Sequence, residues 1–310
     1  MSERILRMGA RGSMLSRMQS ATVVQMLEAA HPGLKVQTTI VKTTGDQVTD
    51  KPLHEFGGKG LFTKELEQAL IGGEIDFAVH SFKDVPTTQP LVDTSGLCFG
   101  AVPAREDVRD VLVCVKAKSL AELPAGAKVG TGSLRRQCQI LASHPELKVE
   151  MIRGNVDTRV KKMKSGEYDA VVLAFAGLKR SGLFDESCMT VIDVDEILPS
   201  AGQGALCLQC RLDDQPTIDL LQAVNDPAAS TCVEVEREVV ALLNGDCHSP
   251  IAVLATIGEG QIVVKAGVGR KGGLPPVIRV MASAPLEEAL SAAQSVHQQL
   301  IMAGVERMLM

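Results

Sequence analysis

Apolar residues recur along the chain in two rhythms. Residues 5–10, Ile5-Leu6-Arg7-Met8-Gly9-Ala10, read as a strand. Val23, Met26, Leu27 and Ala30 then fall at i, i+3, i+4 and i+7, the period of one helix face, and predict a helix after Ser13. Alternation over 36–41 predicts a strand, 64–71 a helix and 75–79 a strand, with Gly72 and Gly73 breaking the chain between the last two. Further strands are predicted at 97–102, 111–115, 128–130, 149–152 and 169–175, with helices between several of them. Short strands alternating with helices predict parallel sheets and an α/β class. The rhythm changes after an apolar run at 205–210. A helical stretch at 228–243 precedes three strand-like runs, 251–257, 261–267 and 277–281, divided by Gly-rich turns, and a last helix at 285–303. This C-terminal part reads as a small α+β domain with an antiparallel sheet.

One local pattern occurs twice. Met8-Gly9-Ala10-Arg11-Gly12-Ser13-Met14-Leu15 and Val129-Gly130-Thr131-Gly132-Ser133-Leu134-Arg135-Arg136 both read as strand, Gly/Ser turn, helix start. Two similar α/β domains binding a ligand beyond the carboxyl ends of their strands would explain the echo. Chance similarity between Gly/Ser turns would explain it equally well.

Composition narrows the classes. The 310 residues are 45% hydrophobic and 22% charged, an ordinary globular balance that excludes disordered, collagen-like and coiled-coil chains. Aromatics are 3%, with no Trp and one Tyr, which argues against a base-stacking nucleic-acid platform. The longest apolar run, 170–178, is well short of the ~20 residues that span a bilayer. Residues 1–8 carry no apolar run of the signal-peptide kind, so a cytoplasmic protein with reduced cysteines is expected. Net charge is −5, yet residues 128–180 hold eleven Lys and Arg against five acids. An acidic chain with one basic segment suggests a local site for an anion. Lys161, Lys162 and Lys164 read as a solvated helix face.

The candidate chemistry sits in the turns. Ser133 is placed to cap a helix whose first turn carries Arg135 and Arg136, the unfavourable end of the helix dipole for cations. A bound anion would offset that cost; a salt bridge to a nearby acid of the chain would do so too. Arg153-Gly154-Asn155-Val156-Asp157-Thr158-Arg159 repeats the arrangement, and Arg11-Gly12-Ser13 does so at the first strand's end. Lys59 lies in a Gly-rich loop that is not a Walker A sequence. Several separate cationic turns suggest a ligand with several carboxylates. His80, Ser81, Lys83 and Asp84 follow a buried strand, where α/β active sites lie; the Asp84–Lys83 neighbourhood can be catalytic or a structural pair. Cys207 and Cys210 form a C-x-x-C inside an apolar strand, with no second Cys/His pair at zinc spacing, and read as core residues. Cys247 instead lies in a polar loop, Asn244-Gly245-Asp246-Cys247-His248-Ser249-Pro250, where a thiol can act as nucleophile or attachment point. Its neighbour His248 is poorly placed to form a dyad with it.

These segments, in order along nearly the whole chain, resemble the porphobilinogen deaminase (hydroxymethylbilane synthase) family. The carriers are Arg11-Gly12-Ser13, Gly57-Gly58-Lys59-Gly60-Leu61-Phe62, His80-Ser81-Phe82-Lys83-Asp84-Val85-Pro86, the Gly130 and Arg153 segments, Ala176-Gly177-Leu178-Lys179-Arg180, Leu198-Pro199-Ser200-Ala201-Gly202-Gln203-Gly204-Ala205 and the Cys247 loop. The resemblance implies two periplasmic-binding-protein-like α/β domains, at 1–103 with 203–222 and at 108–198, and a small α+β domain at 227–310. It implies a transferase of tetrapyrrole biosynthesis that joins porphobilinogen head to tail with loss of ammonia, giving hydroxymethylbilane. A dipyrromethane cofactor, thioether-linked to Cys247, would prime the chain. Asp84 would be the catalytic aspartate, stabilising positive charge on pyrrole nitrogens. The acetates and propionates would be met by Arg11, Ser13, Lys59, Ser81, Lys83, Thr131, Ser133, Arg135, Arg136, Arg153, Gly154, Asn155, Arg159, Arg180 and Gln203, with Phe62 as a lid aromatic. A monomer acting on porphobilinogen, with no metal, nucleic acid or membrane partner, is expected. Asp246 stands where a Gly commonly precedes the cofactor cysteine, and Ser16 where an Ala is common. The competing readings are a non-catalytic polycarboxylate-binding module of the same fold, a thiol oxidoreductase using Cys207 and Cys210, and a nucleic-acid binder using the basic segment.

Overall fold

A computed structural model describes residues 5–44, 60, 63–87, 92–246 and 248–310. The expected positions Lys59, Phe62 and Cys247 lie outside these described residues. The chain divides into two compact units: Met1–Glu106 with Ala205–Ser230, and Asp107–Gly204 with Thr231–Met310.

Unit 1 contains β1 (Ile5–Arg11), α1 (Met14–Ala30), β2 (Lys35–Val41), α2 (Lys64–Ile71), β3 (Phe77–Ser81), β4 (Leu97–Ala101), β10 (Leu206–Arg211) and α6 (Gln215–Gln222). Its sheet runs β2-β1-β3-β10-β4. The predicted face of α1 packs inward: Val23 and Leu27 are fully buried against Leu6, Met8, Phe77 and Leu208. The helix α2 covers the opposite side, with Leu66 and Leu70 against Ile75 and Ala78. At the second position of that layer, Gly9 leaves no room for a side chain: a Cβ there would sit 2.4 Å from the Ile75 side chain.

Unit 2 contains β5 (Asp110–Val113), β6 (Lys128–Gly130), α3 (Leu134–Ser143), β7 (Lys148–Glu150), α4 (Val156–Lys164), β8 (Ala170–Ala174), α5 (Phe175–Arg180) and β9 (Met189–Val191). Their sheet runs β7-β6-β8-β5-β9. A three-stranded sheet follows from β11 (Ile251–Gly258), β12 (Gln261–Arg270) and β13 (Leu274–Pro285), with α8 (Ala289–Met302) packed on it and α9 (Glu306–Leu309) closing the chain. The helix α7 (Pro227–Leu242) carries the boundary between the units. Within unit 2, Arg279 of β13 donates to Gln139 Oε1 of α3 at 2.8 Å, and Lys265 pairs with Asp195 at 2.6 Å.

The expectation of parallel sheets needs correction. In unit 1, β1 runs parallel to β2 and β3, but β10 is antiparallel to both β3 and β4. In unit 2, β6 runs parallel to β7 and β8, but β5 is antiparallel to β8 and β9. Each five-stranded sheet therefore has the same plan, including one reversed interior strand. That shared plan is the structural counterpart of the repeated strand–turn–helix pattern. The C-terminal sheet is antiparallel throughout, as expected.

Candidate active site

In unit 1, parallel pairing of Met8 with Phe77 and Gly9 with Ala78 sets the ends of β1 and β3 side by side. Arg11 ends β1, and Ser13 caps α1 by accepting from Ser16 N at 3.3 Å. Ser16 in turn accepts from Arg11 N at 3.2 Å, which ties the turn to the helix. On β3, Ser81 meets Gln19 of α1 at 3.1 Å. The chain then makes a short 3₁₀ turn, Phe82–Asp84, pinned by Phe82 N donating to Ala205 O at 3.0 Å. This turn presents Lys83 and Asp84. Asp84 is half-buried, and among the described residues no donor engages its carboxylate.

The other face of β3 holds a polar chain that the sequence did not disclose. His80 is buried, and its Nε2 lies 3.0 Å from Gln209 Oε1 on β10; Gln209 Nε2 donates to Glu67 Oε1 on α2 at 3.4 Å. Burial, with the Arg11 charge, outweighs the Gln209 contact and lowers the His80 pKa to about 4. Burial likewise raises the Glu67 carboxyl above its usual range. His80 thus reads as a neutral, hydrogen-bonded structural histidine.

In unit 2, the pairing of Gly130 with Glu150 brings the two cationic turns together. Thr131 is buried, donates its N–H to Glu150 O at 3.0 Å, and accepts from Ser133 N at 3.3 Å. Ser133 occupies the N-cap of α3 without making the capping bond, and Asn155 does the same on α4. Their side chains therefore remain available at two adjacent helix starts. Gly154 holds φ +111°, a conformation that suits Gly, and a Cβ there would strike Thr158 at 2.8 Å. Arg159 donates to Gly154 O at 2.7 Å and lies over Gly132. Arg153 is half-buried, and no hydrogen bond or ion pair engages its guanidinium among the described residues. Arg180, at the end of α5, donates to Gly204 O at 2.8 Å.

Arg135 and Arg136 turn inward. Their nearest anion belongs to the chain: Asp110, fully buried on β5, takes Arg135 Nη2 at 2.9 Å on one oxygen and Arg136 Nη2 at 2.8 Å on the other. Gln203 Nε2 also donates to Asp110, at 2.8 Å. Arg135 further reaches Leu198 O and Arg136 reaches Val172 O. Burial alone would raise the Asp110 carboxyl, but the two guanidinium charges and the bonds from Arg136 and Gln203 hold it well below the usual range. The salt-bridge alternative therefore accounts for the position of both arginines in the first turn of α3. Asp110 was not singled out by sequence because it opens an apolar strand; the only signal was an acid beside a run otherwise fit for the core.

Cys207 and Cys210 are fully buried in β10, as expected of core cysteines. Asp246 Oδ1 accepts from His248 N at 2.9 Å and from Ser249 Oγ at 3.0 Å.

Comparison with known proteins gives the class. The family model described as porphobilinogen deaminase, dipyromethane cofactor binding domain matches residues 6–219, and that of the porphobilinogen deaminase C-terminal domain matches residues 230–302. The class is thus a transferase built around a dipyrromethane-binding domain. The chain belongs to the porphobilinogen deaminase family. It is 40% identical over 309 residues to the porphobilinogen deaminase of Syntrophobacter fumaroxidans, covering 100% of this chain and 98% of that one. Identity to the enzyme of Syntrophotalea carbinolica is 42%, covering 100% and 96%. The chloroplastic enzyme of Oryza sativa is 47% identical over 256 residues, covering 81% and 70%. Among solved structures, the methionine-binding protein MetQ matches with TM-score 0.45 at 14% identity, covering 73% of this chain and 92% of that one.

The residues present fit a dipyrromethane with its carboxylates. Hydroxyls and guanidinium groups stand at strand ends and helix starts, and three buried nitrogens, Arg135 Nε, Arg136 Nε and His248 Nε2, have no hydrogen-bond partner. Among the described residues no helix is long and apolar enough to cross a membrane.

Proposed function

We propose that this chain joins porphobilinogen into hydroxymethylbilane with Asp84 as its catalytic carboxylate and Cys247 as the anchor of the dipyrromethane. The observation that carries the reading is the Asp84 side chain: half-buried, at the end of β3, and unengaged by any donor among the described residues. Its oxygens are therefore open to N–H groups of a ligand. A fixed carboxylate there favours positive charge on a nearby pyrrole nitrogen and can take up or return the N–H proton. Ser81, Lys83, Arg11 and Ser13 would orient ligand carboxylates around it.

In unit 2, Thr131, Ser133, Arg153, Gly154, Asn155, Arg159 and Arg180 would hold acetates and propionates, since guanidinium forks and helix-start N–H groups suit carboxylates. Arg135, Arg136 and Gln203 would act from the interior, fixed by Asp110, with the two Nε–H groups left to a further acceptor. When bound, the dipyrromethane supplies the pyrrole terminus to which porphobilinogen is joined. Lys59 and Phe62 complete the proposed set. The proposal includes a cytoplasmic monomer and three domains, 1–103 with 203–222, 108–198 and 227–310. Three separate sheets, each with its own buried apolar cluster, support that division.

Intact mass under denaturing conditions tests it. The wild type should carry a covalent excess equal to a dipyrromethane, and Cys247→Ser should lack it. Asp84→Asn should keep the excess while turnover falls ~10²–10³-fold, the usual loss when one preorganised charge stabiliser is removed. A wild-type chain that stays bare after incubation with porphobilinogen overturns the anchor, and normal turnover by Asp84→Asn overturns the mechanism.

A further inference from the structure

Two thiols outside the proposed site face each other across the unit 1 sheet. Cys98 on β4 and Cys210 on β10 are direct partners in the antiparallel register. Their sulfurs are 3.6 Å apart, although 112 residues separate them in sequence. Opposed residues of an antiparallel pair have Cα atoms ~4.5–5.5 Å apart, within the ~4.4–6.8 Å that a disulfide spans. The two side chains already share one face of the sheet, so the bond needs a sulfur shift and no change of register. Gly100 keeps the space open: a Cβ there would come within 2.9 Å of Cys210 Sγ.

Access differs between the two. Cys98 is half-buried at the rim of the core, while Cys210 is fully buried among Leu206, Leu208 and Leu221. Burial, reinforced by Cys98 itself, pushes the Cys210 thiol up to about 12. An external oxidant therefore meets Cys98 first, and Cys210 serves as the resolving thiol.

We propose that Cys98 and Cys210 form a reversible disulfide site whose co-substrate is a low-molecular-weight disulfide of the oxidised-glutathione type. Cys98 gives its proton to solvent, and its thiolate attacks one sulfur of the oxidant. The oxidant's S–S bond breaks, one half leaves as a thiol, and the other stays on Cys98 as a mixed disulfide. The Cys210 sulfur, losing its proton, attacks the Cys98 sulfur; the Cys98–Cys210 bond forms and the second thiol leaves. The protein pair gives up two electrons and two protons, and the oxidant becomes two thiols. A dithiol reductant reverses the sequence. The link would tie β4 to β10, the strand that joins β3 to the sheet edge.

The test uses the full-length holoenzyme incubated with oxidised glutathione under native conditions, quenched with iodoacetamide and read by intact mass and non-reducing peptide mapping. Expected is the loss of two alkylatable thiols with no retained adduct, and a cross-link between the peptides bearing Cys98 and Cys210. Dithiothreitol should restore both thiols. Cys98→Ser and Cys98→Ala should block the reaction, Cys207→Ser should leave it intact, and Cys210→Ser should stop it at a mixed disulfide on Cys98. Unchanged thiol counts in the wild type, a lasting glutathione adduct on wild-type Cys98, or a link to a different cysteine would each overturn the proposal.

Discussion

Replacing Asp110 by Ala would leave the guanidinium groups of Arg135 and Arg136 inside unit 2 with no carboxylate between them. Breaking a buried pair in this way costs ~3–5 kcal/mol, because the surviving charges cannot regain water. The urea midpoint of Asp110→Ala should fall accordingly, and covalent cofactor loading should fall with it. Because the folded chain holds this carboxyl below its usual range, its stabilisation is present above the unfolded pKa of ~4 and is lost as pH falls toward the folded value. His80 adds to the loss in the same direction, over a higher pH window. The folded chain keeps it neutral down to about 4, whereas the unfolded chain protonates it from 6.5. Stability should therefore drop as pH falls through that window, by ~3 kcal/mol at most on the linkage relation. His80→Gln should remove this part of the slope, which denaturant midpoints at about pH 7 and about pH 4.5 would register.

At the level of single elements, β6 shows how tightly the short strands are fitted. A Cβ on Gly130 would lie 2.9 Å from the Tyr168 ring, itself fixed by its hydroxyl donating to Met151 O. Gly130→Val should cost ~1–3 kcal/mol by overpacking, seen as a lowered Tm. Periodicity made many elements legible. The predicted 64–71 helix has the observed bounds, and Val23 and Leu27 face the core as their spacing requires. Strand direction was not legible. β5 and β10 read as apolar runs either way, because a strand buried on both faces has no pattern that reveals its orientation. β9 was not anticipated, and Pro275 and Pro276 hid the start of β13. The polar residues divided in the same way. The turn residues were visible because Gly, Ser and Arg gather there, and the family resemblance gave them roles. That Arg135 and Arg136 answer an internal acid depended on a pairing across 25 residues and was not visible. The His80–Gln209–Glu67 chain was hidden for the same reason, since its members meet only through the sheet.

At the scale of the molecule, the strands of the first sheet come from both ends of a long insertion. β10 lies between β3 and β4, so it supplies the hydrogen bonds of both and buries Leu206, Leu208 and Cys210 in the same core. A fragment ending at Gly204 would lack it. Such a fragment should lose amide protection across β1, β3 and β4, because among the described residues β4 pairs with no strand but β10, and the core is left open. Hydrogen exchange on the 1–204 fragment against the full chain would show it, and full protection of β1, β3 and β4 in the fragment would show that β10 is dispensable to the sheet.

That interleaving also sets an order of events at the ribosome. Every strand of the second five-stranded sheet lies between residues 110 and 191, whereas the first sheet waits for residues 206–211. A chain emerging from its N-terminus can therefore complete the later-encoded sheet before the earlier-encoded one, about a second or more ahead at ~5–20 residues per second. During that interval the edges of β3 and β4 are unmatched. The half of the enzyme that is translated first is the half most in need of a chaperone.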